Sequence, residues 1–131
     1  MRGRGADRAR RRRPAARGGP ELDEVLAAQD RHARELDVFA FTDADQAFHQ
    51  SIVASAGNAL ATRIYRSLGD RQRRMACHAL RPRPQRLAVL VAEHTALAEA
   101  VTRRDVAGFR TLLRAHLDAT HREFSRLEAS A

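Results

Sequence analysis

Apolar residues recur at intervals of three and four from Glu21 almost to the C-terminus, the spacing that places side chains on one face of an α-helix. The sequence contains no strand-like alternation of useful length, no internal repeat and no glycine-rich phosphate loop. The pattern therefore predicts an all-α protein. Its five predicted helices cover about residues 21–35, 37–56, 58–80, 85–103 and 105–127.

The second predicted helix has a clear end and two candidate starts. Gly57 follows its last apolar residue, and glycine suits the position after a helix because it adopts positive φ at little cost. Asp37 lies just ahead of the apolar pattern, whereas Thr42 followed by Asp45 fits a capping box and would start the helix five residues later. Both starts leave residues 45–56 helical.

Polar caps and prolines mark the ends of the later helices. Asn58 and Asp105 are suited to accept hydrogen bonds from the free amides of the third and fifth helices. Gly69 is a position at which the third helix can kink. The segment Arg81-Pro82-Arg83-Pro84 must end that helix, because proline lacks an amide donor and the residue before proline avoids helical geometry.

Four potential metal ligands occupy places in the apolar stripes where leucine would be expected. Asp45 and His49 lie in or beside the second stripe, and His94 and His116 lie at the centres of the fourth and fifth stripes. Burying an unpartnered polar group costs roughly 2 kcal/mol or more, so the four are expected to satisfy one another. Asp45 and His49 project about 40° apart and can hold one ion jointly. A shared cation would explain the pattern.

The ligand types favour a transition metal. Three neutral imidazoles and a carboxylate suit Zn, Ni, Fe, Co or Cu better than Mg or Ca, and we expect Zn or Ni. Four protein ligands on an octahedral ion leave two positions for water or a chelating small molecule. The alternative is that each histidine is a core residue bonded to a backbone carbonyl.

Other polar residues near the stripes have simpler interpretations. His121 falls off the fifth stripe and is expected to face solvent, and His32 belongs to a short first helix. His78 lies at the end of the third helix, where an exposed histidine is more usual than a ligand. Arg71 occupies a stripe position and cannot shed its charge, so it is a candidate to bind a ligand carboxylate. Alternatively, its stem is buried and its guanidinium reaches water.

Length and composition predict one domain without membrane contact. A chain of 131 residues can bury a substantial core but is too short for two domains. Cys77 is the only cysteine, so no internal disulfide forms, and no apolar run is long enough to span a bilayer. The basic N-terminus lacks the apolar region of a signal peptide. We therefore expect a cytoplasmic protein.

Most of the net charge of +8 is concentrated near the N-terminus. Residues 1–20 contain eight arginines and one acid, Asp7, whereas residues 21–131 are nearly neutral. We expect residues 1–20 to form a disordered tail and residues 21–131 to form the folded domain. Arg10, Arg11, Arg12 and Arg13 could hold phosphates of DNA or RNA weakly and without sequence preference. A solvated leader or a misassigned start codon is the simpler interpretation.

A resemblance to a known family is carried by the residues around the four ligands. The string Asp45-Gln-Ala-Phe48-His49-Gln-Ser-Ile52 is followed by Ala54-Ser-Ala-Gly57-Asn58, by Glu93-His94 with Leu97 and Ala100, by Asp105, and by His116-Leu117. In order and spacing, Asp37 to Leu127 resembles the FadR C-terminal domain (FCD) of GntR-family bacterial transcription regulators.

The resemblance implies an antiparallel helical bundle that binds a small effector, commonly a carboxylate, and forms a homodimer. Many family members hold a divalent metal with an aspartate and three histidines, which correspond here to Asp45, His49, His94 and His116. The winged-helix DNA-binding domain of the family has no counterpart in this sequence, and the leading helices look shortened. We therefore expect a truncated or orphan effector domain without sequence-specific DNA binding.

Three functional hypotheses follow, of which the first is preferred. The chain is a non-enzymatic effector-binding domain that holds a metal and a small organic acid, aided by Arg71. A second hypothesis is a small metal-dependent hydrolase, but Glu93 lies about 100° around the helix from His94 and is expected to point elsewhere. The third is a nucleic-acid-binding protein that acts through its arginine-rich tail.

Overall fold

The computed structural model describes residues 19–130 of the chain. The predicted tail lies outside the described residues except for its last two positions, and Arg10 to Arg13 lie outside them altogether. The described residues form six α-helices and no strand, which confirms the predicted all-α class. Their bounds are α1 Gly19–Arg34, α2 Val38–Ser55, α3 Ala59–Ser67, α4 Gly69–Leu80, α5 Arg86–Arg103 and α6 Val106–Ala129.

The predicted capping residues begin the helices to which the sequence assigns them. The side chain of Asp37 accepts a hydrogen bond from the amide three residues on, so α2 takes the earlier of its two predicted starts. Thr42 lies inside α2, and its hydroxyl donates to the carbonyl three residues back. Asn58 caps α3 and Asp105 caps α6 in the same way as Asp37. Gly57 follows α2 with a φ of 74°.

The third predicted helix is in fact two helices, because the chain turns at Leu68 and Gly69. Leu68 ends α3 and precedes α4 without a side-chain cap. Gly69 is buried against α2, where a Cβ would lie 3.1 Å from Nε2 of Gln46 and 3.4 Å from Nε2 of Gln50. The missing side chain lets α4 approach α2 closely, and the turn gives α4 a direction of its own. The predicted third helix is thus interrupted at Gly69, the position at which the sequence predicts a kink.

The helices form an antiparallel bundle arranged as a closed ring. α1 packs on α2 and α5, α2 packs on α4, and α6 packs on both α4 and α5. α3 lies against α2 and α4, and none of its residues is buried. Side chains from α2, α4, α5 and α6 meet inside the ring. Within residues 19–130, no helix combines the length and apolar character needed to cross a membrane.

Two apolar clusters fill the bundle, with a layer of polar side chains between them. Gln29 on α1 lies in the sequence between a residue of the first cluster and a residue of the second. Asp45 on α2 and His94 on α5 lie between residues of the two clusters in the same way. The helices run alongside one another, so these positions form one polar layer across the bundle. The first cluster contains Leu22, Phe48, Leu97 and Ala98, and the second contains Ala33, Phe41, Leu80 and Leu87.

Candidate metal centre and ligand cavity

Three histidines from three helices converge in the polar layer. His49 on α2, His94 on α5 and His116 on α6 each offer a ring nitrogen, and these nitrogens lie within 4.8 Å of one another. The ring centroid of His94 lies 4.9 Å from the centroids of both other rings. His94 is fully buried and His116 nearly so. A metal ion with bonds of about 2 Å to imidazole nitrogen fits among atoms at such separations.

Asp45 joins this group from the turn of α2 that precedes His49. Its Oδ1 atom lies 3.5 Å from Nε2 of His49 and 3.4 Å from Nε2 of His94. The structure thus brings together all four residues that the apolar stripes select. Their binding of a metal stays a prediction.

A chain of hydrogen bonds fixes the orientation of the His94 ring. The side-chain amide of Gln29 donates through Nε2 to the carbonyl of Ala44 at 3.3 Å. Oε1 of Gln29 is therefore the acceptor that lies 2.8 Å from Nδ1 of His94, and Nδ1 carries the proton. The lone pair of the neutral ring lies on Nε2, which is buried, close to Asp45, and without a hydrogen-bond partner among the described residues.

Glu93 orients His116 in a similar way. Its Oε2 atom lies 2.6 Å from Nδ1 of His116, which leaves Nε2 as the nitrogen available to a ligand. The expectation that Glu93 points away from the site is wrong, because it contacts His116 on the neighbouring helix.

Burial keeps His94 neutral. The ring of Phe48 stacks on that of His94, with the centroids 4.5 Å apart. Burial lowers the pKa of His94 from 6.5 to about 3, although the nearby charge of Asp45 acts in the opposite direction. His94 therefore presents an unprotonated Nε2 at neutral pH.

Asp45 is ionised beside the three imidazoles. Burial alone would raise the pKa of its carboxyl group, but the side-chain hydrogen bond with His49 and the favourable electrostatics of the three histidine rings lower the pKa below its usual value. One negative charge and three lone-pair donors are thus gathered in a mostly buried place. This arrangement suits a divalent transition metal such as Zn or Ni, and Gln29 and Glu93 hold the outer ring nitrogens as partners of metal-bound histidines do.

A cavity of about 560 Å³ opens beside these residues, with Asp45, His49 and His116 in its lining. Its volume is within the usual range for small-molecule sites. Arg71, predicted to bind a ligand, lines the cavity from α4 and is exposed overall. Tyr65 lines it from α3, and burial, together with the charge of Asp45, raises the pKa of Tyr65 to about 12. The Tyr65 hydroxyl is therefore protonated and able to donate at neutral pH.

The remaining histidines lie away from this cavity. His78 and His121 are exposed and belong to neither its lining nor the three-histidine group. His32 lies near Glu35 and Asp37 at the turn between α1 and α2, where their potential ligand atoms are within 4.8 Å of one another. Both carboxylates are exposed, and Asp37 already caps α2, so the ordinary structure of a solvated turn accounts for this second group.

Sequence analysis missed two residues that support the site, Gln29 and Glu93. Gln29 is fully buried and lies seven residues after Leu22 and four before Ala33, within the apolar stripe of α1. The rule that selects the four ligands, a polar residue in an apolar stripe, therefore selects Gln29 as well. Glu93 carries no comparable signal, because its role depends on where α6 places His116.

Comparisons with known proteins place the chain in a family and agree with its all-α fold. The sequence model of a family described as FCD domain matches residues 6–119. The chain is 36% identical over 113 residues to an uncharacterized HTH-type transcriptional regulator in an unstable DNA locus of Streptomyces ambofaciens. The match covers 83% of this chain and 45% of that protein, so the chain spans less than half the length of this curated relative. No solved structure matches the chain.

Proposed function

The chain belongs to the FCD domain family, and from this premise we propose that it is the effector-binding domain of a bacterial GntR-type transcription regulator. In this proposal the domain binds a divalent metal, and a small organic acid completes the coordination of that metal. The observation that carries the proposal is the buried Nε2 of His94, oriented by Gln29 and without a partner among the described residues. Leaving such an atom unpaired is costly, and a metal would remove that cost.

The four ligands of the proposed metal are Asp45, His49, His94 and His116. Asp45 contributes one negative charge, so a divalent ion bound by these groups keeps a net positive charge that attracts a carboxylate. When bound, the metal supplies a Lewis-acidic centre with coordination positions open to that carboxylate. Zn or Ni suits the donor set best.

Arg71 is the residue proposed to bind the acid alongside the metal. It lines the same cavity as Asp45, His49 and His116, and a guanidinium can bind a carboxylate with two parallel hydrogen bonds. Its exposure places it toward solvent, where its charge also attracts an approaching anion.

We further propose that the domain forms a homodimer through α3. Leu60 and Ile64 lie four residues apart on this helix, Leu68 follows at its C-terminal end after a further four, and all three are exposed. A continuous row of apolar side chains on an outer helix is a surface that a second copy can cover. Light scattering should show a dimer for the native chain and a monomer for the L60Q/I64Q double variant.

Metal analysis of the purified protein tests the proposed centre. After incubation with excess Zn and removal of free ion, we expect one equivalent per chain. H94Q and H116Q should each lose most of this metal, whereas H121Q, a matched change at an exposed position on the same helix as His116, should retain it. Helical circular dichroism identifies any variant that fails to fold. Full metal content in folded H94Q and H116Q would contradict the proposal.

A further inference from the structure

The cavity continues well beyond the proposed metal ligands. On α5, the cavity extends from the level of His94 past Leu90 to Arg86. On α6, it extends from His116 past Thr120 to Phe124. Each of these stretches is eight residues, or about 12 Å at the rise of an α-helix. The antiparallel packing of α5 and α6 places Arg86 and Phe124 at the same far end. The cavity is therefore elongated, with the candidate metal centre toward one end.

Apolar side chains line much of this length. Leu90 on α5, Leu80 on α4 and Phe124 on α6 contribute to the wall between the candidate metal centre and Arg86. A small acid of a few polar atoms would leave this surface in contact with water. An apolar body that covers the wall would gain affinity with each methylene that it buries.

The far end of the cavity carries a cationic side chain, that of Arg86. The Nε atom of Arg86 is buried and has no hydrogen-bond partner within the described part of the chain. Glu123, the acid that lines the same end, is already paired with Arg83 at 3.0 Å. Two other lining groups, Nε2 of Gln46 and Oε1 of Gln72, are likewise buried without a partner in residues 19–130. The cavity thus presents polar atoms arranged for a ligand at more than one point.

From this arrangement we propose that the effector is an elongated organic acid with an apolar body and a second acceptor group. One carboxylate binds at the metal, the body covers Leu80, Leu90 and Phe124, and the second group accepts a hydrogen bond from Arg86. This inference rests on the proposed function and adds the class of the ligand. Short hydrophilic acids fit it poorly, because they cannot reach both ends.

Calorimetric titration of the full, zinc-loaded chain with three probes tests this class. Octanedioate has a carboxylate at each end of an apolar chain, octanoate lacks the second carboxylate, and butanedioate is too short to reach Arg86. We expect octanedioate to bind at least about tenfold more tightly than either other probe. The shorter diacid buries fewer methylenes, and octanoate leaves Arg86 without an acceptor.

The variant R86Q separates the two halves of the proposal. It should weaken octanedioate binding about tenfold, to the level of octanoate, and leave octanoate binding unchanged. R103Q, a matched change at an exposed arginine near the other end of α5, should alter neither. The inference is overturned if butanedioate binds as tightly as octanedioate, or if the R86Q variant binds all probes as the native protein does. In either case, binding of zinc and of an acid would still support the proposed function. If no probe binds zinc-loaded protein, or if zinc itself does not bind, the proposed function fails as well.

Discussion

The protonation of the site histidines is decided by residues outside the ligand set. Gln29 can orient His94 only because its amide also donates to the carbonyl of Ala44, which fixes which end of the amide faces the ring. The carboxylate of Glu93 fixes His116 without such a second bond. In both cases the partner holds the outer nitrogen, Nδ1, and leaves the inner nitrogen, Nε2, facing the other site residues.

Replacing Gln29 by methionine should weaken metal binding with little change of shape. Q29M removes both the acceptor for Nδ1 of His94 and the donor to Ala44, so the His94 ring is free to adopt the wrong tautomer. We expect an increase of about 10- to 100-fold in the zinc dissociation constant, measured by competition with a chromogenic chelator. The control Q50M makes the same change at a half-buried position on α2 and should bind zinc normally. Equal affinities for the two variants would argue against an orienting role for Gln29.

The low pKa of His94 makes the metal-free protein sensitive to acid. His94 has a pKa of about 3 in the folded state and of about 6.5 when exposed, so at intermediate pH the unfolded chain binds a proton that the folded chain does not. Its stability contribution is complete above about pH 6.5 and is lost as the pH falls toward 3, by at most about 1.4 kcal/mol per pH unit. Urea unfolding of chelator-treated protein from pH 7 to pH 4 should therefore show a shallower decline for H94Q than for the native chain. Parallel curves would contradict this account.

At the scale of single helices, capping residues are the most reliable guide to structure. The acceptor of Asp105 lies 2.9 Å from the amide of Gly108 and begins α6, which holds His116 more than two turns later. A Cβ on Gly108 would collide with the Asp105 carboxylate, so glycine at this position leaves room for the cap. The cap stabilises the helix but does not touch the site.

Removal of this cap should therefore lower stability without affecting metal content. D105A is expected to reduce the free energy of unfolding by about 1 kcal/mol, measured by urea unfolding at neutral pH, while zinc stoichiometry stays at the native value. D105N, which keeps an acceptor, should be much closer to native. D118A removes an exposed acid from the same helix and controls for the change in charge. A loss of zinc in D105A would show that the start of α6 matters to the site.

The helix starts were predictable where local signals decide them, whereas the sequence marks Gly69 as a place for a kink without showing that the chain divides there into α3 and α4. Asp37, Asn58 and Asp105 act through hydrogen bonds to amides three residues away, which the sequence alone contains. The turn at Gly69 depends instead on how closely α4 approaches Gln46 of α2, a contact between distant segments. The candidate ligands and Gln29 each carry a local signal, a polar residue within an apolar stripe. The contact of Glu93 with His116 depends on packing between distant segments, so the sequence alone does not mark it.

At the scale of the whole molecule, the polar layer includes a buried residue of α6, whereas the buried residues of the apolar clusters come from the other helices. The first cluster is built from α1, α2 and α5, and the second from these helices with α4. The fully packed core contains no residue of α6, whose one buried residue is His116. A metal shared by His49, His94 and His116 would therefore tie α6 to α2 and α5 through the centre of the bundle.

This placement predicts that metal removal destabilises the whole fold. A metal present at about 100 times its dissociation constant stabilises the native state by about 2.7 kcal/mol, which for a domain of this size corresponds to a rise in Tm of roughly 5–20 °C. Chelation of the zinc-loaded native chain should lower Tm by such an amount, as should chelation of the H121Q variant. H116Q should melt at the same temperature with and without chelator, because α6 has lost its ligand. Hydrogen exchange should locate the change in α6, since the one buried residue of this helix is the proposed ligand His116. An H116Q variant that still loses stability on chelation would mean that the metal acts elsewhere in the chain.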